Sequence, residues 1–143
     1  MRPKTHSLTS AADRLGALLG VPAVGWVALL ALCAAYLQGG VDKLTDFAAA
    51  TAEMQHFGLS PARPMAALII LLELGGSVLI LSGVLRWLGA LGLAAFTLAA
   101  TLLANRFWDA APPERFAMAN SFFEHLGLVG GLVLVAWYDL RER

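Results

Sequence analysis

The stretch from Met65 to Leu85, MAALIILLELGGSVLILSGVL, is interrupted near its middle by one carboxylate, Glu73. A helix rises about 1.5 Å per residue, so 18 or more apolar residues are enough to cross the roughly 30 Å hydrocarbon core of a bilayer. Inside that core the backbone must satisfy its own hydrogen bonds, which makes the run a membrane-spanning helix. An acid at the centre of a span costs at least about 2.5 to 3.5 kcal/mol on insertion scales, and such residues face a bundle interior or a cavity. Glu73 is therefore the first candidate for function.

Similar runs recur along the chain. Of its 143 residues 59% are hydrophobic and only 14% charged, far from the balance of a water-soluble domain. Spans are predicted at about 21–41, 64–85, 87–105 and 121–138. The fold class is an all-α membrane protein, a four-transmembrane-helix bundle occupying residues 21–143. Residues 1–20 form a basic N-terminal segment in which Ala12, Leu15, Leu18 and Leu19 fall on a helical repeat, the pattern of an interfacial helix. In the loop after the first span, Phe47, Ala50, Met54 and Phe57 recur at helical spacing opposite Asp46 and Glu53, with Gly58 and Pro61 behind them. That pattern predicts a short amphipathic helix in the first outer loop. Tyr36, near the end of the first span, reads as an interfacial anchor, as do Trp137 and Tyr138 at the end of the fourth.

Orientation follows from the basic residues. Arg2, Lys4, Arg14, Arg86, Arg141 and Arg143 fall on one side, against Lys43, Arg63, Arg106 and Arg115 on the other. Both termini are expected in the cytoplasm, in a multi-pass protein of the cytoplasmic membrane. Acids sharpen the contrast, since Asp42, Asp46, Glu53, Asp109, Glu114 and Glu124 lie on the second side.

Several chemistries lack support. The formal net charge is zero, so no basic excess points to nucleic acid. The single cysteine, Cys33, rules out an intramolecular disulfide and reads as a small packing residue. His125 is the only histidine in a span, which leaves a bis-histidine haem without its second ligand, and no cluster suits zinc. No metal and no intrinsic cofactor is expected. Nucleotide-binding and serine-hydrolase motifs are also missing.

Depth arithmetic brings the polar residues of the spans together. Counted from the inner side, Glu73, His125, Thr101 and Gln38 stand roughly 18, 20, 21 and 24 Å up. One polar residue from each span thus falls at a similar level, near Asp42 and Lys43. In lipid these groups are expected to turn inward and satisfy one another. Burial favours a protonated Glu73 and a neighbouring cation favours its carboxylate, so a neutral acid and an ion pair with Lys43 both stay open. The layer serves either as a ligand or proton pocket or as a device that fixes helix register. Gly39, Gly75, Gly76, Gly127 and Gly131 are expected to let helices approach closely, within one bundle or in a homo-oligomer.

The segments QGGVDKLTD at 38–46, FGLSP at 57–61, LLELGG at 71–76 and HLGLVGGLVLV at 125–135 resemble the DoxX family of small bacterial four-helix membrane proteins. The resemblance extends from about Leu29 to Tyr138. It implies a four-span bundle in which Gly39, Gly40, Lys43 and Glu73 occupy the family's glycine, lysine and glutamate positions. It also implies association with a quinone-linked redox system, with membrane or oxidoreductase subunits as partners and quinone as the cofactor of the assembly. Many relatives have an asparagine near the start of the fourth span, where this chain has Glu124 and His125. A catalytic role would need a partner, because the chain has no self-contained catalytic motif. Small-solute transport and a purely structural accessory role are the alternatives.

Overall fold

A computed structural model describes the backbone of residues 5–143 and side-chain environments from Ala11 onward. Arg2 and Lys4 lie outside the described residues. The chain forms α1 (Thr5–Leu19), α2 (Pro22–Thr45), α3 (Phe47–His56), α4 (Ala62–Ser82), α5 (Arg86–Ala104) and α6 (Pro112–Arg141). Helices α2, α4, α5 and α6 are each long and apolar enough to cross a membrane. Among the described residues the protein is all-α with four spanning helices, a multi-pass membrane protein.

Two boundaries differ from those expected. Helix α2 continues to Thr45, which draws Asp42 and Lys43 into the helix instead of leaving them in a loop. Helix α6 begins at Pro112, well before the expected start of the fourth span. Prolines suit a helix's first turn, where the missing N–H has no intrahelical partner and the fixed φ is already helical.

Helix α4 packs between α2 and α5, and α5 packs on α6. The main core joins Cys33 and Tyr36 of α2, Ile80 of α4, Leu93 of α5, and Leu132 and Ala136 of α6. Most other large apolar side chains, such as Leu68, Leu71, Val78 and Leu102, remain exposed on the bundle, where the bilayer supplies their contacts. A smaller cluster of Ala50, Met54 and Ala66 seats α3 on the start of α4. The carboxylate of Asp46 caps α3 by accepting from the Ala49 amide at 2.9 Å.

The turn between α4 and α5 is tied from two directions. Gly83 closes α4 at a left-handed φ of 79°, where a glycine carries no Cβ penalty. Arg86 Nε donates to the Ile80 carbonyl at 3.0 Å, satisfying one of the last acceptors of α4. From α6, Asp139 accepts from the Trp87 amide at 3.2 Å and so caps the start of α5. With the four spans alternating in direction, the end of α2, all of α3, and the beginnings of α4 and α6 share the opposite face.

Candidate functional site

Three glycines set the local geometry around Glu73. A Cβ at Gly40 would stand 2.7 Å from Leu74 Cδ2, so α2 and α4 come together at a distance only glycine allows. On the other side of α4, a Cβ at Gly76 would meet Leu93 Cγ at 2.8 Å, and one at Gly89 would meet the Gly76 carbonyl oxygen at 2.6 Å. Helix α4 is thereby clamped between α2 and α5, and Glu73 lies on its inward face with only 5% of its surface exposed.

Its partner descends from α2. Side chains on a helix lean toward its N-terminus, so Lys43 lies back along the preceding turn. There Nζ donates to both Glu73 oxygens at 3.3 Å and approaches the Gly39 carbonyl at 3.5 Å. A Cβ at Gly39 would stand 3.4 Å from Nζ and 3.5 Å from Glu73 Oε1, ordinary contact distances, so the pair lies directly against this glycine. The geometry brings the ammonium and the carboxyl group within ion-pair distance. One turn farther along α4, the Ser77 hydroxyl donates to the Glu73 carbonyl at 2.7 Å.

The expected single layer resolves into separate groups. Thr101 is fully buried, and the Asn105 amide donates to its hydroxyl at 3.1 Å and to His125 Nδ1 at 3.2 Å. Gln38 is exposed and donates to Asp42, its neighbour one turn along α2. Among the described residues no hydrogen bond joins Gln38, Thr101 or His125 to the Lys43–Glu73 pair. Depth arithmetic placed these residues by height, whereas contact also depends on their rotation about each helix axis.

Residues outside the expected layer also contribute. Tyr36 is not an interfacial anchor: it is 5% exposed and packs in the core, because α2 continues well past it. The Thr97 hydroxyl donates to the Leu93 carbonyl at 2.7 Å, so the Tyr36 hydroxyl is the donor in their 2.5 Å contact. Thr97, Thr101 and Asn105 follow one another at four-residue spacing on α5, a polar ladder that the sequence showed only through Thr101. Among the glycines, Gly131 meets Leu32 at 3.3 Å within the bundle, while a Cβ at Gly75 or Gly127 would have no neighbour within 4 Å. Those two glycines do not mediate packing inside the monomer.

Two cavities adjoin the pair. An apolar groove of about 320 Å³ runs between α3, α4 and α5, bordered by Met54, Leu72, Phe96 and Leu103, with Lys43 and Glu53 as its charged residues. A polar recess of about 450 Å³ lies between α2 and α3 and is bordered by Asp42, Lys43, Asp46 and Glu53. Lys43 and Glu53 border both spaces, and Glu73 borders neither. Among the described residues no group of three His, Cys, Asp or Glu side chains is placed to hold a metal ion.

A family model described as DoxX matches residues 26–106, more than half of the chain. The match includes Gly39, Gly40, Lys43 and Glu73 and stops before the fourth span, so His125 and the glycines of α6 lie outside it. No curated protein and no solved structure matches the chain.

Proposed function

Because the chain belongs to the DoxX family, we propose that it is an accessory membrane subunit of a quinone-linked redox system, with Lys43–Glu73 as its proton-handling element. The observation that carries this reading is a buried carboxylate held by one lysine inside a spanning bundle. A buried ion pair is poor value as a stabilising device, since desolvation offsets most of its attraction. Intramembrane ionisable residues that persist despite that cost are the usual components of proton and ion pathways. Because Glu73 borders neither cavity, proton exchange suits it better than direct contact with a head group. Electrons travel through partner subunits in this reading, and quinone belongs to the assembly.

The protein resides in a bacterial cytoplasmic membrane, with both termini in the cytoplasm and α3 on the outer face. Purification from its native membrane in mild detergent, followed by lipid extraction, tests the reading. Quinone and an oxidoreductase subunit are expected to co-purify, and Glu73→Gln should lower quinone-linked turnover while the subunits stay assembled. Absence of both quinone and a redox partner would refute it.

A second reading, a small-solute transport module, is favoured by the polar recess adjoining the groove at Lys43 and Glu53. Four spans are few for an alternating-access carrier, so this reading requires a dimer. Uptake into vesicles should then fall in Glu73→Gln, whereas unchanged uptake would rule the module out.

A further inference from the structure

We propose that the groove and the recess form one site for an amphiphilic cation, a protonated amine or quaternary ammonium on a hydrocarbon body. This goes beyond the redox reading and does not depend on it. The recess sets the charge of the head group. Asp42, Asp46 and Glu53 border it against a single ammonium, Lys43, and that ammonium is engaged by the buried Glu73 behind it. Among the described residues none of the three recess carboxylates lies in an ion pair. Asp42 accepts from Gln38 and Asp46 from the Ala49 amide, both uncharged donors, so no direct ion pair among the described residues offsets the charge of the recess.

The groove sets the rest of the ligand. Its walls, Leu72, Phe96 and Leu103 among them, match a hydrocarbon body, and its roughly 320 Å³ is at the lower end of small-ligand sites. Because Lys43 and Glu53 border both spaces, a molecule lying in the groove brings its head to the acidic side. An anionic head would meet excess negative charge there, and an uncharged head would lack the charge attraction.

The full chain, reconstituted in phosphatidylcholine nanodiscs, tests the assignment by calorimetric titration with empty discs subtracted. The probes are dodecyltrimethylammonium, dodecyl maltoside and dodecyl sulfate. The cation is expected to bind saturably and the other two not to. Both acids are exposed, and exposed charge pairs contribute up to about 1 kcal/mol, so Glu53→Gln should weaken cation binding by up to roughly fivefold, and Asp42→Asn with Glu53→Gln by more than that, up to roughly 25-fold. Ala99→Trp, placed in the groove away from the acids, should abolish binding while circular dichroism stays unchanged. Equal binding of all three probes would make the groove a general lipid cleft and overturn the proposal. Cation affinity unchanged in both acid variants, or no saturable binding to the parent chain, would overturn it as well.

Discussion

Replacing Lys43 by Met strands the Glu73 carboxylate between α2 and α4. Lys43 Nζ stands 3.3 Å from either oxygen, and at an effective dielectric constant of ~20 that separation gives a gross attraction of about 5 kcal/mol. Desolvation of the two ions removes most of this, so the intact pair adds little net stability. A broken buried pair is different, because the remaining charge keeps its desolvation cost without its partner. Lys43→Met should therefore cost about 3–5 kcal/mol. Glu73→Leu should cost less, roughly 1–2 kcal/mol, because Lys43 is one-fifth exposed and its flexible stem can carry the ammonium toward water. The double variant should lie close to the parent, giving a coupling energy near the sum of the single costs, about 4–7 kcal/mol. Unfolding the four proteins by sodium dodecyl sulfate titration in mixed micelles, followed by far-ultraviolet circular dichroism, measures the cycle. Additive single costs, or a Lys43→Met cost below about 1 kcal/mol, would refute the reasoning.

The glycines divide in a way that the same assay reads. Gly40→Val drives a side chain into Leu74 and should destabilise by about 1–3 kcal/mol or more, while Gly75→Ala, inside α4 with no neighbour within 4 Å, should be neutral or stabilise by up to about 1 kcal/mol. Asn105→Leu removes the donor to both Thr101 and His125 and should cost about 1–3 kcal/mol. Gln38→Ala, at an exposed position, should remain within about 0.5 kcal/mol. Reversal of either order would contradict the packing and hydrogen-bond assignments.

The four spans were legible because length and apolarity are coarse signals that tertiary detail does not override. Glu73 was legible for the related reason that a lone acid in such a run demands a partner, and Lys43, one turn past the paired glycines, was within reach. What could not be read was rotation. Height alone grouped Gln38 with Glu73, yet Gln38 faces outward and Tyr36 faces in. Asn105 marks only the end of the expected third span, 87–105, whereas from the C-cap of α5 its side chain reaches back to Thr101 and across to His125. The glycine spacing in α6 marked Gly127 and Gly131 alike, and only the helix neighbours distinguish them: Leu32 approaches Gly131, while nothing approaches Gly127.

Paired with Lys43 at 3.3 Å beside Gly39, Glu73 is expected to be a carboxylate, and its ionisation is directly observable. Infrared spectra of the protein in lipid at neutral pH, with the Glu73→Gln spectrum subtracted, isolate its signal. The account predicts a carboxylate band that disappears with the substitution. A protonated carboxylic acid band in its place would contradict the ion pair at the centre of the structure.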